Sequence, residues 1–431
     1  MTIKGISKSD FKQLLGKYLS SSQPVSNHEH LMGRTDMLQK IERAFTSAGR
    51  HIFIHGDRGI GKTSLARAAA TFHQDSSLPL RTVQCERGAT GYGIMRDIAL
   101  KILPPMKKGA VFKRVTKQQF RISLPGLSYE KANELSEGTI PEIASVNEAL
   151  TIVESLARTY NNPPVVIIDE FDQIDSMESR RSVASFIKGV TDQEIPLRFI
   201  ICGIGDSLDA MIGEHQSTGR LLAPLRLEAI TVDARLDIMR SVAGHLGVEV
   251  DYESLMRAAL ISDGFPYYVH LIGEHLFWQM FDDPRDVTVS SPEHFDRALT
   301  IAAEMAEPNL KSTYEKATQK YKNDYEEVLW AVADNSMMRR QLSEIYTSSY
   351  LRIMELRKKA PLAKATFSSK LSALASDRHG SILEGTGAGW YQFRENRHRG
   401  YVRLVAERNG ISLHSEHHLR GALGTSFEDV A

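Results

Sequence analysis

Residues 51–66 read HIFIHGDRGIGKTSLA. Ile52, Phe53 and Ile54 form a short apolar run that suits a buried strand, and the residues from Ser64 onward have a helical pattern. Between them, Gly56-Asp57-Arg58-Gly59-Ile60-Gly61-Lys62-Thr63 fits the spacing G-x-x-x-x-G-K-[ST]. The physics of that spacing is specific. Glycines let the backbone take positive φ and come close to an anion. Successive N–H groups at the start of a helix then make a concave anion nest. Lys62 adds a positive charge for terminal phosphates, and Thr63 offers a hydroxyl to Mg²⁺. Backbone and side chains of Gly56, Asp57, Arg58, Gly59, Ile60, Gly61, Lys62, Thr63 and Ser64 are therefore expected to cradle a nucleotide.

A phosphate loop of this kind calls for a second, acidic strand end. Val165-Val166-Ile167-Ile168 is an aliphatic run, followed by Asp169 and Glu170. Such runs suit strands buried on both faces of a parallel sheet, and ligands of such sheets sit at the carboxyl ends of the strands. Asp169 is expected to join Thr63 in holding Mg²⁺, and Glu170 to polarise the attacking water. Asp172 and Asp175 read more simply as residues that cap or flank the next helix.

Other strand-like segments fall at 80–85, 197–204 and 226–230, with helical patterns between most of them. That alternation is the signature of a βα parallel sheet. The 431 residues allow two or three domains, and 42% hydrophobic with 25% charged residues is an ordinary globular composition. Lys+Arg and Asp+Glu both number 53, so no global field selects a polyanionic partner. Cys85 and Cys202 read as buried thiols, in keeping with a reducing compartment. No apolar run reaches the ~18 residues that a membrane span needs. The N-terminal MTIKGISKSDFKQLLGKYL lacks an apolar signal core, so a cytoplasmic location is expected.

The expected organisation is an arm over 1–30, with one amphipathic helix (Phe11, Leu14, Leu15, Tyr18). A nucleotide-binding α/β core follows over 31–231, an all-α lid over 232–306 and a linker or connecting helix over 307–323. Residues 324–410 read as three helices and a hairpin, a winged-helix pattern, and 411–431 as a tail. Within the core, a basic insertion near 105–145 includes KKGAVFKRVTKQQFR (107–121). It is either a hairpin touching nucleic-acid phosphates or a solvated segment. Residues 320–410 hold 16 Lys+Arg against 10 Asp+Glu. Lys364, Lys370, Arg394, Arg397, Arg399 and Arg403 are the candidates for a DNA face, and a protein-binding face is the competing reading. The histidines at 414, 417 and 418 have no rigid element to present them to a metal.

On these features the chain resembles the AAA+ ATPases of the origin-recognition type, and shares its layout with the STAND-like and transposition-helper ATPases. The likeness spans about residues 28–408 and rests on Leu31-Met-Gly33-Arg34, the P-loop, Asp169-Glu170 and the C-terminal winged-helix pattern. It implies a parallel-sheet P-loop NTPase core with a lid and a winged helix, Mg·ATP as ligand, homo-oligomers and a DNA or effector-protein partner. Gly33 and Arg34 match the box near the adenine. Asp206 ends the strand that carries a polar sensor, where it either orients water or caps a helix. Arg220 falls at the arginine-finger place; Arg226 is the alternative, and a surface arginine the plain reading. The chain departs from the family at Gly264-Phe-Pro-Tyr267-Tyr268, where tyrosine replaces the lid's sensor arginine. Slow ATP hydrolysis by a switch is the expectation, unless another cation substitutes. The alternative is a DNA-binding initiator, transposition or phage-defence adaptor whose nucleotide is mainly structural.

Overall fold

The structure, a computed structural model, describes residues 3–19, 31–47, 49–74, 79–103, 140–205, 221–318 and 324–413. The basic segment 107–121, Asp206, Arg220 and the three tail histidines lie outside the described residues. The chain divides into two compact units: a sheet unit, Pro24–Gly56 with Gly61–Glu228, and a helical unit, Met1–Gln23 with Asp57–Ile60 and Ala229–Ala431.

In the sheet unit, α2 (Thr35–Phe45) leads to β1 (His51–His55), and α3 (Lys62–His73) to β2 (Arg81–Gln84). Next come α4 (Gly91–Ile102), α5 (Val146–Ala157), β3 (Val165–Asp169), α6 (Met177–Asp192), β4 (Arg198–Gly203) and β5 (Leu222–Arg226). The five strands run parallel in the order β2-β3-β4-β1-β5. All five residues of β3 are buried, as a central strand covered on both faces requires. Apolar faces of α4, α5 and α6 join Val166, Ile168, Phe199 and Ile201 in one core. Helix starts follow local chemistry: Thr90, Ser145 and Ser176 each accept a backbone N–H three residues on.

One expected strand moves. The segment 226–230 is not β5; the strand is Leu222–Arg226. Pro224 hides that strand in the sequence, because proline cannot donate to a ladder. It is tolerated here because, among the described residues, β5 is an edge strand paired with β1 alone.

The helical unit begins with the amphipathic α1 (Lys8–Tyr18). Phe11 stacks on Phe281 at 4.3 Å and meets the edge of Trp278 at 4.8 Å. The helices α7 (Val232–Leu246), α8 (Tyr252–Ile261), α9 (Pro266–Asp282), α10 (Pro292–Met305) and α11 (Pro308–Thr318) follow, then α12 (Tyr325–Ala333) and β6 (Arg339–Gln341). A short helical segment and a π-helical turn (Ile345–Tyr350) lead into α13 (Leu351–Leu356), and α14 (Lys364–Leu374) comes next. The unit closes with β7 (Leu383–Gly385), β8 (Trp390–Phe393) and α15 (Arg397–Arg408). The three short strands form an antiparallel sheet in the order β6-β8-β7. Phe367, Leu371 and Leu374 of α14 are all buried, as their i, i+4, i+7 spacing predicts.

Two of the arginines expected on a DNA face are instead inside this unit. Arg399 is buried and forks both oxygens of Asp263, while its remaining donors reach the carbonyls of Ser336 and Met337. Arg403 meets the same carboxylate at 3.0 Å and donates to the carbonyls of Ala333, Leu260 and Asn335. The sequence count of basic residues overstates the exposed charge because a guanidinium surrounded by carbonyls and one carboxylate is stable inside. Among the described residues, no helix is long and apolar enough to cross a membrane.

Candidate nucleotide-binding site

The phosphate loop carries the backbone its sequence predicts. Gly56, Gly59 and Gly61 have φ of 151°, 77° and 99°, conformations that side chains with a Cβ disfavour. A Cβ on Gly56 would also stand 2.4 Å from the Leu227 carbonyl oxygen, so the loop passes β5's outgoing chain at a distance only glycine permits. Helix α3 starts at Lys62, with Gly61 in place of a capping side chain. A helix start of this kind is suited to an anion.

Within the sheet unit, Lys62 Nζ donates to the Gly56 carbonyl at 2.8 Å, which folds the ammonium back over its own loop. Thr63 Oγ1 donates to Asp169 Oδ2 at 2.8 Å, and the Glu170 N–H donates to Asp169 Oδ1 at 2.9 Å. The sequence separates Thr63 from Asp169 by 106 positions, and the sheet brings them into one hydrogen bond. Burial, first of all, holds the Asp169 carboxyl above the usual carboxylate range; the Thr63 and Glu170 hydrogen bonds and the Lys62 charge pull the other way. A hydroxyl and a carboxylate of this kind, one at a helix start and one at a strand end, are hard oxygen ligands suited to Mg²⁺. Glu170 itself is exposed and has φ 52° and ψ 41°. A non-glycine residue in that left-handed region costs on the order of 1 kcal/mol. The next residues, Phe171–Gln173, form a 3-10 turn.

Arg34 is 6% exposed and donates Nη2 to the Glu228 carbonyl at 2.6 Å, after Gly33 with φ 70°. Burial pushes its guanidinium pKa down to about 10, against the opposing charge of Glu228. Arg226, the alternative finger, is exposed at the end of β5 and lies 3.7 Å from Glu228. Both cysteines are buried free thiols; burial, with Asp169 next, pushes Cys85 up to about 12. Neither thiol is activated.

The crest of the phosphate loop, Asp57–Ile60, packs within the helical unit. There Asn396 Nδ2 donates to Asp57 Oδ2 at 2.8 Å, Arg58 lies 4.0 Å from Glu395, and Arg397 rests on Gly59. Sequence reasoning missed this cluster: Asp57 and Asn396 are 339 positions apart, and Arg397 reads as one more basic residue near a hairpin. The adjacent tyrosines Tyr267 and Tyr268 are both engaged in hydrogen bonds. Tyr267 Oη accepts the Glu307 N–H at 2.9 Å, and Tyr268 Oη donates to the Arg397 carbonyl at 2.6 Å. Burial raises the Tyr267 hydroxyl to about 12, so it stays neutral.

A glycine loop, an acidic strand end and a parallel sheet in this order define a P-loop nucleoside triphosphatase. Residues 30–201 match the family described as AAA ATPase domain. The fold is similar to that of a Walker-type ATPase from Pyrococcus abyssi, with 17% identity, 89% of this chain and 99% of that chain covered, and a TM-score of 0.52. It is also similar to the Aeropyrum pernix ORC2 protein solved with ADPNP and ADP (14% identity, 93% and 97% covered, TM-score 0.49). Cdc6p from Pyrobaculum aerophilum gives 15% identity, 92% and 98% covered, and a TM-score of 0.43. No curated protein matches the sequence.

Proposed function

We propose that this chain is an ATP-driven switch: it binds Mg·ATP, hydrolyses it slowly, and uses the nucleotide state to set how it engages DNA or a partner protein. The observation that supports this reading most directly is the Thr63–Asp169 hydrogen bond at 2.8 Å beside Lys62 and the glycine loop. Lys62 and the loop N–H groups would hold the phosphates, and Thr63 and Asp169 would hold Mg²⁺. When bound, Mg²⁺ neutralises phosphate charge and orients the chain of phosphates. Glu170, exposed at the end of β3, would take a proton from the attacking water. Asp206 and Arg220 remain candidates for a sensor and a finger supplied between copies of the chain, and Gly33–Arg34 for the base side. Slow turnover fits a lid whose sensor place holds Tyr267, a neutral hydroxyl.

The macromolecular partner is read from the C-terminal part of the helical unit. Three helical segments, with β6 after the first and the β7 and β8 strands after the third, fit a winged helix, with α14 as its third helix. Lys364, Thr366 and Ser369 are exposed on α14, and the turn Thr386–Gly389 and Arg394 are exposed beside it. Arg339 lies over the Trp390 ring at 5.0 Å. Duplex DNA is the partner these groups favour, through phosphate contacts that position a helix in a groove.

The test is nucleotide binding and phosphate release by the full chain. Lys62→Ala is expected to lose ATP affinity by a hundredfold or so, while Glu170→Gln is expected to keep affinity and lose phosphate release. Unchanged affinity in Lys62→Ala would remove the nucleotide reading. A duplex affinity with no log–log salt slope would remove the DNA reading and leave a protein partner.

A further inference from the structure

Within the helical unit, the β6-β8-β7 sheet has two unlike faces. Residues directly opposite in an antiparallel ladder share a face. Arg340 stands opposite Tyr391, and Leu383 opposite Phe393. Arg340, Leu383 and Phe393 are buried, and Tyr391 Oη shares a hydrogen bond of 2.9 Å with Ser372 Oγ of α14. This face is closed by the unit's own helices. The other face carries Arg339, Gln341, Trp390, Gln392 and Glu384, because Arg339 and Glu384 both stand opposite Gln392 and Gln341 opposite Trp390. Arg339 and Gln341 are exposed, and the other three are partly exposed. Since α14 lies on the closed side, the open face looks away from it.

The open face centres on an aromatic ring. Arg339 Cζ lies 5.0 Å from the centroid of the Trp390 ring, a planar cation over an indole. Beside the ring, Gln392 Nε2 donates to Glu384 Oε1, an amide–carboxylate pair that holds both donors and acceptors. The turn from β7 to β8 is bare backbone: Gly387 and Gly389 have φ of 88° and 77°, and a Cβ on either would meet none of the described atoms within 4 Å. The surrounding charge selects a polyanion. Among the exposed residues of 324–396, Arg339, Lys358, Lys359, Lys364, Arg378 and Arg394 are basic, against the acids Glu355 and Asp377. An aromatic ring set among cations and amides is the combination that serves a nucleic-acid strand, with a base stacked and phosphates neutralised. Inside a duplex both faces of a base are taken by its neighbours, so a base that stacks on this ring has left the duplex stack.

We propose that the open face of this sheet is a stacking platform for an unpaired base, built from Trp390 and Arg339, and that the chain binds a junction of duplex and single strand. The duplex lies against α14, and the freed strand passes the Gly387–Gly389 turn onto Trp390. Arg339 either sandwiches the base or stacks on its outer side, and its charge meets the strand's phosphates. The inference rests on the DNA reading above and adds the form of DNA that is bound.

The experiment measures the fluorescence anisotropy of labelled DNA with the full chain at one salt concentration. The probes are a blunt duplex, the same duplex with an oligothymidine tail, and the same duplex with an abasic tail of equal length. Wild type is expected to bind the thymidine-tailed duplex about tenfold more tightly than the blunt one, the scale of base stacking on one aromatic ring. The abasic tail keeps the phosphates but has nothing to stack, so it should give less than about a third of that gain. Trp390→Ala should bring the thymidine tail down to the abasic value and leave the blunt duplex within about twofold of wild type. Trp390→Phe should keep most of the gain, and Arg339→Ala should lose part of it. Lys364→Ala, on α14, should weaken all three probes alike. Trp278 and Trp330 remain in the Trp390 variants, and their fluorescence checks folding; should Trp390→Ala fold poorly, the abasic tail and Trp390→Phe carry the same test. If the abasic tail binds as well as the thymidine tail, or a folded Trp390→Ala keeps the full gain, this inference is overturned and the duplex reading stands. If wild type binds none of the probes, both are overturned.

Discussion

Asp263→Asn isolates the charge that holds the helical unit together. Asp263 is a single carboxylate between two buried guanidiniums, with side-chain exposures of 7%, 2% and 6% for Asp263, Arg399 and Arg403. Asparagine keeps the shape and tolerates the local φ of 53°. However, it removes the negative charge and turns one acceptor into a donor facing an arginine. Breaking a buried ion pair from one side costs about 3–5 kcal/mol. Here both arginines keep carbonyl partners, two for Arg399 and three for Arg403, so the lower end, about 3 kcal/mol, is the expected loss. For a unit of this size that corresponds to a fall in Tm of about 6–12 °C. The assay is urea and thermal unfolding followed by tryptophan fluorescence. The three tryptophans of the chain, Trp278, Trp330 and Trp390, all belong to the helical unit, so the signal reports that unit alone. Asp296→Asn is the control. Its partner Arg257 is 22% exposed and Asp296 63%, and an exposed pair is worth less than about 1 kcal/mol. If Asp263→Asn unfolds within about 1 kcal/mol of wild type at an unchanged m value, the buried triad does not carry the stability assigned to it.

Two further outcomes test the packing around the site. His51 Nδ1 accepts the Phe199 N–H at 3.2 Å, so its proton sits on Nε2, 3.1 Å from Thr191 Oγ1; burial and then Arg198 push its pKa down to about 4. Because the unfolded histidine protonates first, this stability is complete above about pH 6.5 and is lost as pH falls toward 4, by about 2 kcal/mol at pH 5. Hydrogen exchange of β1 and β4 amides at pH 7 and 5 should report the loss in wild type and a smaller one in His51→Gln. Gly400→Ala places a Cβ 2.3 Å from Tyr268 Cε2, so about 1–3 kcal/mol of overpacking should appear in the tryptophan-monitored unfolding; a variant as stable as wild type would mean that the two helices separate freely.

The phosphate loop, the β1, β3 and β4 strands, the Asp169-Glu170 pair and the C-terminal helix stripes were all legible in the linear chain, for one physical reason. Each is written within a dozen residues as a periodicity, a glycine that must take positive φ, or a charge at a strand end. Strand β5 was misplaced because Pro224 suppresses the local signal, and only its place at the sheet edge makes the proline acceptable. The fates of the arginines were beyond local reading. Arg394, Arg397, Arg399 and Arg403 look alike in sequence, yet Arg394 is exposed, Arg397 lies on Gly59, and Arg399 and Arg403 are buried against Asp263. A guanidinium is a surface group or an interior one according to which carbonyls and carboxylates the tertiary structure brings to it, and for Arg399 and Arg403 those partners come from positions 62 to 143 residues away. Sequence by itself determined the glycine loop and the acidic strand end, because both are local patterns; tertiary structure decided which arginines stay exposed and which are buried, because their partners are distant in the chain.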